Sequence, residues 1–488
     1  MMNECGPIPT PRTGLRHALE AASNSVHTVG MVAFLSGSCG FFVGCLRLAS
    51  WHHAIESAQV LAGIVSYPPH NPFFIYHTKV WSLFIQVCSV MLYCGLSERF
   101  GAYFVSGLLT MVGFQALAIC AFAFCRNAFL SVAAPWVIVF CLLSGSHEFG
   151  LLYPLQVSGT YWSYGSLGLS VTFLSIALLG SGNYGVAGFL LGIAPALHVT
   201  LGLFAWLVVL IACLWNSQRI GRLLKEAAKP FCFGFAVCLA SLVFHHVTVP
   251  NVPRLSPHVL DAYLAVFFQY WNVCQKPISL YSLGLWINVV ASAMAVSWLR
   301  LTHDRLPTSS LFILHSLVAA GAVSVLMAAT TWLPSDMVPT SFQRVIPGRF
   351  LNFEVFGCMA VVIGLVGSQR SLPARFVLTC VFLILPLVHL SRMEIPLVVR
   401  GGVVLAFCAL VSVIPLWIPK RVSLGDASKS RSPFSHFKCA WCPLVGAVLC
   451  IAITVSLMLY LSDRWQTGSS RKGSTIEDWT NEPFYARI

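Results

Sequence analysis

The chain has 488 residues, 57% of them apolar and only 9% charged, with a mean hydropathy of +0.79. Repeated long apolar runs at that composition exclude an ordinary set of soluble domains and point to a multi-span membrane protein, with the lipid bilayer as its solvent. The net charge of +13 raises nucleic-acid binding, but the basic residues stand in short runs between apolar segments, as membrane topology produces, so nucleic acid is not an expected partner.

Residues 1–25 are mostly polar and precede the first expected span, Val26 to Leu48, which is long enough to be retained rather than cleaved. The stretch from Trp51 to Gly107 follows. It gathers four His, two acids, a Lys and an Arg beside apolar segments. Ionisable side chains are costly near hydrocarbon, so such a cluster is a candidate functional site. Spans are then expected at Gly101 to Cys125 and Ala128 to Ser144, followed by a polar, aromatic stretch, GSHEFGLLYPLQVSGTYWSYG, and an apolar run from Ser166 to Leu179. Tyr184 to Trp215 is about twice a minimal span and is either one very tilted helix or two, broken near Pro195 and His198.

The basic run NSQRIGRLLKEAAKP closes a first transmembrane module, 26–230. A second module, 231–462, holds apolar runs at Phe231 to Val247, Leu280 to Leu299, Ser309 to Leu333, Leu351 to Val366, Ala374 to Leu390, Val398 to Ile418 and Cys442 to Leu461. The tail, 463–488, is polar. The 18 Cys fall mostly inside apolar runs, where cysteine behaves as a small hydrophobe. Cys439 and Cys442 form a lone CxxC, and the adjacent pairs His52 and His53 and His245 and His246 lack metal-ligand spacing. No metal and no cofactor is expected.

Two topologies compete. If His77 to Leu96 does not span and Tyr184 to Trp215 crosses twice, there are about thirteen transmembrane helices with the N-terminus, 1–25, in the cytoplasm. If each crosses once, only Arg99 and Arg126 exchange sides, so charge alone does not decide.

A resemblance bears on the choice. The order is a first span, an acid-containing loop, Pro and aromatics leading into an apolar helix (NPFFIYHTKVWSLF), then GLSERFGAYFVSGLL and a span ending in a basic residue. It is similar to the N-terminal half of the GT-C polytopic membrane glycosyltransferases, which include protein mannosyltransferases and the aminoarabinose transferase of lipid A. Gly95 to Arg99 resembles the family motif that opens the second true span, and GFLLGIAPALHVTLGLFAW resembles a small-residue element that reaches the outer face and returns. The likeness covers roughly residues 26–230. It implies an all-α polytopic fold of about thirteen spans, with interfacial helices in a non-cytoplasmic first loop. It also implies transfer of a sugar from a polyprenyl- or dolichyl-phosphate donor, in a bacterial inner membrane or a eukaryotic endomembrane, to an acceptor that the residues do not identify. The chain departs from the family in one place. Where an acid usually follows the first span directly, it has Trp51, His52 and His53, and its first acid is Glu56.

Such a transfer needs a base for the acceptor and positive groups for the departing phosphate. Glu56 is the leading base, with His53 behind it; His52 and Glu56, four apart, share a helix face. Candidate substrate-binding residues are Lys79, Glu98, Arg99, His147, Glu148, Tyr161, Trp162, His198, Arg344 and Arg349. Arg344 and Arg349, in SFQRVIPGRFLNFE, stand on the expected outer side, against the positive-inside trend, which an anionic ligand would explain. Two other classes remain open: a transporter or lipid flippase, although no internal repeat is visible, and a non-catalytic membrane scaffold.

Overall fold

In a computed structural model the structure describes residues 11–46, 53–68, 71–144, 163–215, 223–249, 283–303, 306–333 and 345–368, with a few single residues between them. All belong to one unit, and every regular element among them is helical. In chain order these are α1 (Pro11–Leu46), α2 (His53–Leu61), α3 (Pro72–Lys79), α4 (Leu83–Tyr93), α5 (Glu98–Cys125), α6 (Ala128–Ser144), α7 (Ser163–Ser181), α8 (Tyr184–Leu197) and α9 (Val199–Trp215). A single wide turn, Leu223–Ala227, leads into α10 (Ala228–Thr248), and α11 (Leu283–Thr302), α12 (Thr308–Ala329) and α13 (Gly348–Ser368) follow.

Among the described residues, six helical stretches are long and apolar enough to cross a membrane: His27–Cys45, Glu98–Cys125, Tyr164–Ser181, Lys225–Thr248, Thr308–Trp332 and Gly348–Ser368. The expected spans from Ala374 onward, and the tail, lie outside the described residues.

Lipid tails are as apolar as leucine, so helices in a membrane associate through close packing, which small residues permit. Two pairs show it. On α1, Gly40 and Gly44 lie against the Thr110 and Ser106 carbonyls of the antiparallel α5, where a Cβ would collide with backbone. On α8, Gly188 and Gly192 abut the Ala227 and Phe231 carbonyls, and Gly234 of α10 answers against Phe189. Helices of the second sequence module, α10 and α13, therefore pack directly against helices of the first.

α8 and α9 fold back on each other. A Cβ on Gly202 would collide with the Pro195 nitrogen, and Trp206 Nε1 donates to the Leu191 carbonyl at 2.7 Å. That carbonyl is the one a residue at 195 would bond if it were not proline, so the indole replaces the missing amide. Tyr184 to Trp215 is thus a hairpin of 14 and 17 residues rather than one tilted helix.

His77 to Leu96 is not a single helix either. It breaks between α3 and α4, and α4, at 11 residues, reaches only about 16 Å, half the hydrocarbon thickness. α4 closes with Gly95 at φ +86: Gly95 N–H bonds the Leu92 carbonyl and Leu96 N–H bonds that of Met91, a Schellman cap. Ser97 then caps α5, accepting from Phe100 N–H at 3.2 Å. The glycine and serine of GLSER thus each have a capping role.

Candidate functional site

One end of the bundle gathers the N-termini of α5, α7 and α13 and the turn between α8 and α9. α7 and α13 run the same way as α5, since their C-terminal glycines, Gly180 and Gly367, meet Ile313 and Cys125 at the opposite end. The short helices α2, α3 and α4 lie at the first end, with Ile55 of α2 touching Gly101 of α5.

His198 is the whole connection between α8 and α9. Its backbone is extended (φ −157°, ψ 109°); its N–H bonds the Ala194 carbonyl at 3.0 Å and its own carbonyl accepts from Gly202 N–H at 2.8 Å. One residue therefore ends one helix and starts the next. Its side chain is buried against α7, where glycine makes the space: a Cβ on Gly168 would lie 2.6 Å from the His198 Cβ. Tyr164 stacks on the imidazole, with centroids 5.6 Å apart and planes inclined by 21°. The Tyr164 hydroxyl pairs with the Tyr76 hydroxyl at 3.0 Å.

Arg349, in the first turn of α13, places Nη1 3.1 Å from His198 Nε2. Guanidinium has only donors, so Nε2 must accept. The neutral ring then carries its proton on Nδ1, which donates to Thr200 Oγ1 at 3.2 Å. Leu201 N–H, 3.4 Å from the same Nδ1, finds no lone pair on that nitrogen in this tautomer. Burial, and then the Arg349 cation, push the His198 pKa down to about 3. The N-termini of α7, α9 and α13 converge here, and their dipole ends add positive potential to that of the guanidinium.

The helices that complete this end are held by polar contacts. Ser57 of α2 bonds His77 Nδ1 of α3 at 2.9 Å, and the His77 ring meets Tyr76 edge-on. Ser82, just before α4, donates to the Leu197 carbonyl at the hairpin turn. Gln86 donates to the Ser241 carbonyl, while Ser241 Oγ donates to Gln86 Oε1 and accepts from Trp81 Nε1, tying α4 to α10.

Of the residues singled out in the sequence, His198 and Arg349 are brought into contact across 151 positions. Glu56 is half-buried on α2, next to Ser57. His53 begins α2, and its side chain is not among those described. Lys79 is exposed at the end of α3. Glu98 and Arg99 are exposed at the start of α5, and the Arg99 guanidinium lies 5.9 Å from the Tyr103 ring centre, as an interfacial anchor would. His52, His147, Glu148, Tyr161, Trp162 and Arg344 lie outside the described residues. Tyr76, His77, Ser57 and Tyr164 join this end of the bundle without having stood out. Tyr164 belongs to an aromatic stretch in which nothing distinguishes it, and Ser57 carries no sequence signal.

Among the described residues no three His, Cys, Asp or Glu side chains converge as metal ligands. No family profile matches the chain, and neither the curated proteins nor the solved structures offer a match.

Proposed function

We propose that the protein is a multi-pass membrane glycosyltransferase of the GT-C type, with about thirteen spans, moving a sugar from a polyprenyl- or dolichyl-phosphate donor to an acceptor on the non-cytoplasmic face. The observation that carries this reading is the Arg349–His198 contact at 3.1 Å, set where three helix N-termini meet. Fixed donors and dipoles of one sign are what a departing lipid phosphate requires. His198 acts as a positioning residue: its lone pair faces Arg349, so it orients the guanidinium rather than taking the acceptor's proton. That leaves the base to Glu56, on the neighbouring α2.

The α8–α9 hairpin and the break between α3 and α4 support the thirteen-span arrangement, in which His77 to Leu96 lies at the outer surface. The capping roles of Gly95 and Ser97 give GLSER a structural explanation, so the reading leans on the Arg349 end rather than on that motif. The test is transfer of radiolabelled sugar from a polyprenyl-phosphate donor by membranes carrying the chain. Glu56→Gln is expected to abolish transfer at unchanged expression; full activity in that variant would sink the assignment of the base. Membranes that consume no polyprenyl-linked sugar would sink the function, and leave a transporter or scaffold.

A further inference from the structure

About one and a half turns along α13 from Arg349, α11, α12 and α13 meet around an acid. Glu354 lies in an apolar run on α13 and has no solvent exposure. Its neighbours are set by Gly321 of α12. A Cβ there would lie 2.5 Å from Ser292 Oγ of α11 and 3.3 Å from Glu354 Cδ, so hydroxyl and carboxyl share the gap that the glycine leaves. Among the described residues Glu354 Oε2 and Ser292 Oγ make no hydrogen bond. The other carboxyl oxygen, Oε1, takes a weak contact from the Cys358 thiol at 3.9 Å, and that sulfur is also 3.4 Å from the Ala291 carbonyl. Ser324, nearly one turn beyond Gly321 on α12, is buried, and among the described residues its hydroxyl likewise makes no hydrogen bond.

We infer that Glu354, with Ser292 beside it, is a proton-binding site within the membrane. A carboxylate in hydrocarbon with a thiol as its only described partner is untenable as an anion, whereas one proton converts it to a carboxylic acid whose O–H can be donated to a neighbouring oxygen. The step is the binding of one proton, with nothing oxidised or reduced. A hard metal cation takes about six oxygen ligands, and the gap offers a carboxyl, a hydroxyl and a thiol in a space too tight for a methyl group.

The titratable and charged residues described on the helices packed against α13 are Glu98, Arg99, Tyr103, Cys120 and Cys125 on α5, Tyr164 on α7, Arg300 on α11 and His315 on α12. On α13 itself they are Arg349 and Cys358, and Cys358 is the one recorded in contact with the carboxyl. The site stands apart from sugar transfer: it would be present in a transferase, a transporter or a scaffold.

Infrared spectra of the purified protein in lipid nanodiscs, from about pH 5 to about pH 9, test it. The expected result is a protonated-carboxyl carbonyl band that is absent from Glu354→Gln and unchanged by added sodium chloride. Identical spectra for the two proteins, or loss of the band with sodium, would overturn the site. If Glu354→Gln does not fold, the wild-type protein gives the answer. A lipid-soluble carbodiimide, which attacks protonated carboxyls, is mapped by peptide mass; modification at Glu354 that weakens as pH rises is expected, and a Glu354 peptide left unmodified while Glu98 and Glu56 react would count against it.

Discussion

Arg349 holds the position of greatest leverage in the proposed site, because its planar fork both meets His198 and would face an anion. Arg349→Lys keeps the charge and loses the fork, so transfer should fall about 10-fold, and Arg349→Ala should lower it about 100-fold, each equivalent to about 1.4 kcal/mol per decade. Steady-state turnover at matched expression measures both. His198 has a pH signature with a definite sign. Its native imidazole stays neutral down to about pH 3, whereas an unfolded histidine takes up a proton near pH 6.5. Below about pH 6.5 the unfolded chain binds more protons, so stability falls with falling pH, by at most about 1.4 kcal/mol per unit, until about pH 3. Denaturation in detergent across that window should show the slope in the wild type, and His198→Gln should flatten it.

At the scale of elements, the α8–α9 hairpin was legible in part. Pro195 and His198 marked the break, while the packing of Gly188 and Gly192 onto α10 shows only in the folded chain. What Trp206 does was not legible, because its partner is a carbonyl orphaned fifteen residues earlier, and only the folded hairpin brings them together. Trp206→Phe should cost about 1–3 kcal/mol by leaving the Leu191 carbonyl without a donor. In a Pro195→Ala background the helix can supply its own amide, so the same substitution should cost clearly less; equal losses in a double-mutant cycle would count against the exchange. The α8–α10 interface makes a parallel demand. A Cβ on Gly192 would collide with the Phe231 carbonyl, while one on Gly185 would meet nothing nearer than 4.0 Å. Gly192→Val should therefore lower the unfolding midpoint markedly and Gly185→Ala hardly at all. Glu354 stands in the apolar run that follows Arg349, where an acid is the kind of residue that hydrocarbon penalises.

For the whole molecule, sequence alone supplied the all-helical class and, among the described residues, much of the placing of the helices, because burial in lipid imposes length and apolarity on each span. It did not supply which helix ends meet, since Arg349 and His198 are joined through packing between distant segments. The thirteen-span proposal is checked from outside. In a background without native cysteines, Ser66→Cys, which is exposed beyond α2, should react with an impermeant maleimide, and Lys225→Cys, exposed in the turn before α10, should be protected until the membrane is opened. The single-residue turn at His198 also bears on how the chain is made. α8 and α9 reach only about 21 and 26 Å, each short of the hydrocarbon thickness, and no loop separates them. During synthesis neither helix is a complete membrane anchor, so the pair is expected to leave the insertion machinery together, after Trp206 has emerged to cap the backbone that Pro195 opened.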